Sequence, residues 1–370
     1  MNSEKSPEEW YPAVARVVSL PVGATVLILG GTDTGKTTFA AQVARVLAGD
    51  SERIAVVDAD IGQSEIAPPG TVGVAWARPD AERLSDLKPA GTFFVGAFSA
   101  STLPLEHASA TAQAVRHARE RNAERVLVDT SGYVTGPTAR RLKCAKASLI
   151  QPALILAFGA DNNSELLALA QTASAVCGAE LLAVPVPEGV QKKPAAQRTT
   201  RRQTRLAAYF GEKPTAVTVP LDEIVTLGAT LGTGISIAPH LAQWAGDALH
   251  MPVVHGEMAG DVMTLFLGNA ARPGWEGLSG AVADHFKART VRVVSLSAHL
   301  GVLVGLHDES GRLFALGRYA GFDEESVGIV VTVPGGAAIH AQERTRLLSF
   351  GRVRTDERGA TIAELKPNEL

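Results

Sequence analysis

Short apolar runs alternate with amphipathic stretches through the first half of the chain. Residues 25–30 (TVLILG), Ile54–Asp58, residues 92–98 (TFFVGAF), Arg125–Asp129, Ala153–Phe158 and Leu181–Pro185 have the length and composition of strands buried on both faces. Between them, residues 36–48 set Phe39, Val43, Val46 and Leu47 at helical spacing. Residues 108–121, a stretch from about Pro137, and residues 164–177 also read as helices. Strands alternating with helices predict an α/β layer with a mostly parallel sheet flanked by helices. The pattern changes near residue 190. Residues 189–211 carry Lys192, Lys193, Arg198, Arg201, Arg202 and Arg205 without one acid. Beyond Lys213 the text is rich in Gly and Val, with strand-like runs at Val217–Val219, Val291–Val294, Gly301–Leu306, Leu313–Gly317 and Val327–Val333. Asp308–Gly311 between two of these runs reads as a hairpin turn. The expectation is a first domain over 1–213, with a basic segment at about 189–211, and a β-rich C-terminal domain over 214–370.

Composition narrows the classes. The 370 residues are 46% hydrophobic and 20% charged, which excludes a largely disordered chain. A formal net charge of −3 excludes a molecule coated for nucleic acid, so such a site must come from local clustering. Cys144 and Cys177 cannot form a disulfide framework and match no zinc spacing, which predicts a reducing, cytoplasmic setting. Glu4, Glu8 and Glu9 near the start argue against a signal peptide. The most apolar stretch, 147–160, is broken by Gln151 and Pro152 and falls short of the ~20 residues of a membrane span.

The strongest chemical signal is Gly30-Gly31-Thr32-Asp33-Thr34-Gly35-Lys36-Thr37-Thr38, which fits GxxxxGK[ST] between a strand and a helix. Glycines let successive backbone N–H groups turn onto a polyphosphate, and the helix N-terminus adds partial positive charge. Lys36 reaches the β- and γ-phosphates, and the Thr37 hydroxyl is placed to ligate Mg²⁺. The expected fold is therefore a P-loop NTPase. Two acids compete for the metal side. Asp129 ends RVLVD, where an acid supports Mg²⁺ in such folds, and Asp58 ends IAVVD. Asp60 follows two residues later; ionised at neutral pH (ordinary pKa ~3.9), it is able to accept a proton from an attacking hydroxyl. The ordinary alternative for each acid is a cap or turn residue.

These motifs together resemble the polynucleotide 5′-hydroxyl kinases, a family that includes the kinase of the pre-mRNA cleavage complex and the pre-rRNA processing kinase. The resemblance rests on Gly30–Thr38, on DxDxGQ at Asp58–Gln63, and on Pro68-Pro69-Gly70 after it. Asp129-Thr130-Ser131-Gly132-Tyr133 resembles the family's TxGW clasp, Arg198–Arg205 its arginine-bearing lid, and Leu303–Asp323 its C-terminal domain. It covers roughly residues 25–350. It implies ATP in the loop, Asp60 as general base with Gln63 on the acceptor side, and Thr130, Gly132 and Tyr133 clamping loop and acceptor end. It also implies that one or more of Arg198, Arg201, Arg202 and Arg205 contact the transferring phosphate. Tyr133 departs from the family's Trp. The loop begins at residue 30, leaving no room for the large N-terminal domain of eukaryotic members, which implies a stand-alone enzyme without an obligate protein partner.

The basic segment suits a lid better than a linker, because an arginine fork pairs phosphate oxygens bidentately and keeps its charge. Arg140, Arg141, Lys143 and Lys146 form a second basic set on a helix. It reads equally as a track for an acceptor backbone or as a solvated face. The reading that follows is an ATP- and Mg²⁺-dependent kinase acting on the 5′-OH end of single-stranded RNA or DNA. Its rival is a P-loop NTPase switch or assembly factor, in which Asp129–Gly132 senses the nucleotide and water is the acceptor.

Overall fold

The computed structural model describes residues 7–49, 53–188 and 194–366. The chain divides into two units, Met1–Leu206 and Ala207–Leu370. The first is built on a seven-stranded sheet. In chain order its elements are α1 (Tyr11–Val18), β1 (Ala24–Gly30), α2 (Lys36–Gly49), β2 (Ile54–Ala59), β3 (Thr71–Trp76), β4 (Pro89–Phe94), α3 (Pro104–Glu120), β5 (Arg125–Thr130), α4 (Gly136–Ile150), β6 (Leu154–Phe158), α5 (Ser164–Cys177) and β7 (Glu180–Val184). A last helix, α6 (Ala195–Phe210), begins in this unit. The strands lie in the order β4-β3-β2-β5-β1-β6-β7. The β2, β5, β1, β6 and β7 strands run parallel; β3 and β4 return antiparallel at one edge.

Helices on both faces bury the central strands, so all residues of β1, β2, β5 and β6 are buried. That is why they read as unbroken apolar runs rather than alternating ones. Fully burying a side chain such as Leu27, Ile28 or Leu29 contributes about 1.5–3 kcal/mol. The expected strand at 92–98 is displaced to Pro89–Phe94, and β3 was not foreseen. Gly73 and Ala75 interrupt the β-branched pattern of TVGVAW, and the strand exists through its antiparallel pairing with β2. The N-terminal helix was also not foreseen. Trp10, just ahead of α1, is buried edge-on against Phe39 and Phe158 and donates its indole N–H to Pro185 O at 3.2 Å.

The second unit holds two sheets. Its elements are β8 (Thr215–Pro220), β9 (Val225–Leu227), β10 (Ile235–Ser236), α7 (Pro239–Leu249), β11 (Val253–Ala259), β12 (Val262–Leu267), α8 (Ser279–Phe286), β13 (Thr290–Ser295), β14 (Val302–His307), β15 (Leu313–Asp323), β16 (Gly328–Val333), α9 (Gly335–Arg344), β17 (Leu347–Thr355) and β18 (Thr361–Glu364). One sheet runs β10-β11-β12-β13; the other runs β18-β17-β14-β15-β16-β8, with β9 beside β17. All pairs are antiparallel except β12–β13 and β9–β17. The expected hairpin turn forms between β14 and β15, where the Asp308 carboxylate accepts the N–H groups of Ser310 and Arg312. Its three helices were missed, because their apolar positions merge with the Val- and Ala-rich strands around them. Among the described residues no helix is long and apolar enough to cross a membrane.

Candidate active site

The carboxyl ends of the central strands place the chemistry. Sheet register sets Asp58 of β2 beside Asp129 of β5, and Asp129 beside Ile28 of β1. This is the edge of an α/β sheet where ligands bind. Gly30 ends β1, and Lys36 opens α2. Between them the loop turns through Asp33 at φ 55° and Gly35 at φ 88°. Left-handed positions within such a turn make a concavity of backbone N–H groups suited to an anion. A side chain at Gly35 would meet the Trp10 ring at 2.8 Å, so the aromatic cluster forms the floor of the loop.

Lys36 is buried, and its Nζ donates to Gly31 O and to Thr34 Oγ1. Burial lowers its pKa, opposed by Asp129, Asp60 and Asp33. Thr37 Oγ1 donates to Asp129 Oδ2 at 2.6 Å. The other Asp129 oxygen is buried with no hydrogen-bond partner. Burial pushes this carboxyl up to about 7, with Lys36 pulling it back. Among the described residues no group of three or more His, Cys, Asp or Glu side chains is arranged to hold a metal. Mg²⁺ needs none, since it keeps most of its ligands on water and phosphate.

The two acids of DxDxGQ have different surroundings. Asp58 is saturated. Its Oδ1 accepts Asp60 N, and its Oδ2 accepts Ser64 Oγ and the N–H groups of Glu65 and Ile66. Burial raises it to about 6 against those hydrogen bonds. Asp60 is half-buried, and only Oδ1 is engaged, by Gly62 N and Gln63 N, each at 3.1 Å. These two bonds pin the carboxylate through Oδ1 and leave Oδ2 without a hydrogen bond among the described residues.

The lid arginines divide by contact. Residues 189–193 of the expected lid, including Lys192 and Lys193, lie outside the described residues. Arg198 pairs with Asp33 of the loop at 3.3 Å, and its carbonyl accepts Gln63 Nε2 at 3.1 Å. Arg201 pairs with Glu65 at 2.5 Å. Arg205 donates to the carbonyls of Glu65 and Ala67, and the Arg202 guanidinium lies 4.8 Å from the Phe98 ring centroid. Glu65 was not foreseen as the anchor of this helix. Its distance from the basic segment in sequence gave no signal.

The clasp lies against the phosphate-binding loop. Thr130 Oγ1 donates to Ile28 O at 2.7 Å, and a Cβ on Gly132 would stand within 2.6 Å of Thr32. Tyr133 is half-buried against Ala100, Ala108 and Leu142. The second basic set splits. Arg140 and Arg141 are exposed, whereas Lys143 and Lys146 are fully buried, so neither the solvated-face nor the backbone-track reading holds for these two. A signal was present, since positions 139, 142, 143, 146, 147 and 150 form one helical stripe. Lys143 Nζ donates to Thr130 Oγ1 at 2.9 Å and Ser131 O at 2.7 Å. Lys146 Nζ lies 2.7 Å from His107 Nε2, which lies 2.8 Å from Ala59 O. Burial lowers Lys143 to about 7 and also lowers Lys146 well below its ordinary value, while the aspartates oppose this. Three lysines (36, 143, 146) thus face three aspartates (58, 60, 129) around one sheet edge.

This fold and site define a P-loop nucleotide-binding protein with an acid poised across from the phosphate loop. Residues 30–212 match the family described as the mRNA cleavage and polyadenylation factor CLP1 P-loop. The polyribonucleotide 5′-hydroxyl-kinase of Pyrococcus furiosus is 28% identical over 368 residues, 98% of this chain and 97% of the relative. That of Thermococcus kodakarensis is 27% identical, covering 98% and 97%. The Clp1p of a solved Clp1p–Pcf11p complex superposes with a TM-score of 0.55 at 12% identity, covering 92% of this chain and 77% of that one, so the fold is shared.

Proposed function

We propose that this protein is an ATP-dependent polynucleotide 5′-hydroxyl kinase acting on RNA ends. The observation that carries the reading is the linkage of acceptor loop, lid and phosphate loop. Gln63 bonds the Arg198 carbonyl, and Arg198 pairs with Asp33. A base, an arginine and a phosphate cradle are thereby held as one constellation. The archaeal relatives named as polyribonucleotide 5′-hydroxyl-kinases support RNA as the acceptor. A single-stranded end fits a site that takes one terminal hydroxyl.

In this reading Asp60 Oδ2 accepts the proton of the 5′-OH as its oxygen attacks the γ-phosphorus. The bond to the β-phosphate oxygen breaks, and ADP leaves. Lys36 and Arg198 stabilise charge on the transferring group. Arg201 and Arg205, tied to Glu65 and Ala67, hold the lid helix in place. Mg²⁺ fits at Thr37 and the unpartnered oxygen of Asp129, where it would neutralise charge on the β- and γ-phosphate oxygens. Asp58, with both oxygens engaged, shapes the loop instead. Two free thiols, Cys144 and Cys177, suit a reducing cytoplasm.

The test is incubation with γ-labelled ATP, Mg²⁺ and a 5′-OH oligoribonucleotide or its DNA counterpart. Label enters the RNA 5′ end, and more slowly the DNA. Phosphate release without labelling, unchanged by oligonucleotide, would establish the NTPase alternative instead.

A further inference from the structure

Two buried lysines play no part in the chemistry above. Lys143 and Lys146 stand one turn apart on the inward stripe of α4. Burying an ammonium group costs several kcal/mol even after the surroundings relax. An apolar side chain would pack α4 at lower cost, so the retained amine needs a task that only a donor performs. For Lys143 the hydrogen bonds name that task. Its Nζ donates to Thr130 Oγ1 and Ser131 O, with Ser131 Oγ at 3.5 Å. The Thr130 hydroxyl has already committed its proton to Ile28 O, so toward Lys143 that oxygen can only accept. Ile28 lies on the strand that feeds the phosphate-binding loop, and Gly132, next after Ser131, presses on Thr32 inside it. One amino group therefore ties two successive residues, Thr130 and Ser131, of the segment that leads to Gly132 at the loop.

We propose that Lys143 is a positioning residue that holds the Thr130–Gly132 clasp against the phosphate-binding loop in the geometry required for transfer to the acceptor. It touches neither nucleotide nor acceptor, and it acts through Thr130 and Ser131. The electrostatics agree with the geometry, because Lys143 shares the field of Lys36, Asp60 and Asp129. Lys146, spent on His107, has no bond to the clasp.

This role rests on the kinase reading. The experiment uses the full chain with Lys143→Met, which keeps an unbranched four-atom stem and removes the terminal donor. Affinity for a non-hydrolysable ATP analogue is measured by calorimetry, and kcat of labelling by steady-state transfer to a 5′-OH oligoribonucleotide. The expected result is a split: affinity within about threefold of wild type, and kcat lower by about tenfold or more. Lys143→Gln, which retains an N–H donor, recovers part of the loss. An unchanged kcat, or affinity and kcat falling in equal proportion, overturns the proposal. If Lys143→Met does not fold, Lys143→Gln is judged by the same two measurements and the same split. Wild-type protein that labels no oligonucleotide overturns the kinase reading and this role with it. Wild-type transfer with an unaffected variant overturns this role alone.

Discussion

Replacing Gly132 by alanine tests the clasp directly. The added Cβ would stand 2.4 Å from Thr32 Oγ1, 2.5 Å from Thr32 N and 2.6 Å from Thr32 Cα, where ordinary contacts begin at 3.4 Å. The hydroxyl can rotate away. The two backbone atoms move only if the phosphate-binding loop moves. Gly132 has no left-handed φ, so the effect is steric alone. Overpacking of this kind costs about 1–3 kcal/mol, or roughly 5- to 150-fold if it falls wholly on the loop's nucleotide-binding geometry. A shift of about 1 Å at reacting groups costs a further ~10² in rate. The assay pairs ATP-analogue affinity with phosphate transfer to a 5′-OH oligoribonucleotide. Gly277→Ala serves as the control, because its Cβ meets nothing within 4 Å. Gly132→Ala protein that binds nucleotide and transfers phosphate at wild-type rates would refute the reasoning.

Four more outcomes follow from the geometry. Asp60→Asn keeps the Oδ1 acceptor for Gly62 and Gln63, so nucleotide affinity holds while transfer falls by about 10²–10⁴; near-normal transfer removes Asp60 from the base role. Asp58 and Asp129 are raised in the fold from 3.8 to about 6 and about 7, so each favours the folded state while protonated. Their contribution is full below pH ~4 and is lost as pH rises through those values. Nucleotide-free protein therefore melts at lower temperature at pH 8 than at pH 5, and Asp129→Asn flattens that slope; an unaltered slope in the variant refutes the assignment. Glu65→Gln and Arg201→Ala each loosen the lid helix, and their effects on transfer are non-additive by about 0.5 kcal/mol or more in a double-mutant cycle. Trp10→Ala empties the floor under Gly35 at a cost of about 3–5 kcal/mol, read as a lower melting temperature together with weaker ATP-analogue binding.

The phosphate-binding loop and the strand-end acids were legible because each depends on local pattern. A strand, a glycine-rich turn and a helix occur in order, and an acid closes the apolar runs of IAVVD and RVLVD. What was hidden depends on distant pairing. Trp10 sits in a stretch read for its acids, yet its ring finds Phe39 and Phe158 only after β1 and β6 have aligned. Lys143 and Lys146 were counted as surface charge because charge usually means exposure. Their place on an apolar stripe was the overriding signal. The arginines were recognised as a group, but their separation into Arg198 at the loop and Arg201 and Arg205 at Glu65 needed coordinates.

The matched trio of lysines and aspartates also bears on how such a site changes over generations. Nearby acids offset part of the burial cost of each lysine, and Lys36 in turn favours ionised Asp129. Loss of a buried member removes that offset from its neighbours. The six positions are therefore expected to change together. A descendant chain with an apolar residue at position 143 or 146 is expected to have surrendered an acid from the trio or acquired a cation elsewhere on the same sheet edge. The pairing of those changes, more than the persistence of any single residue, is the record the site leaves in its lineage.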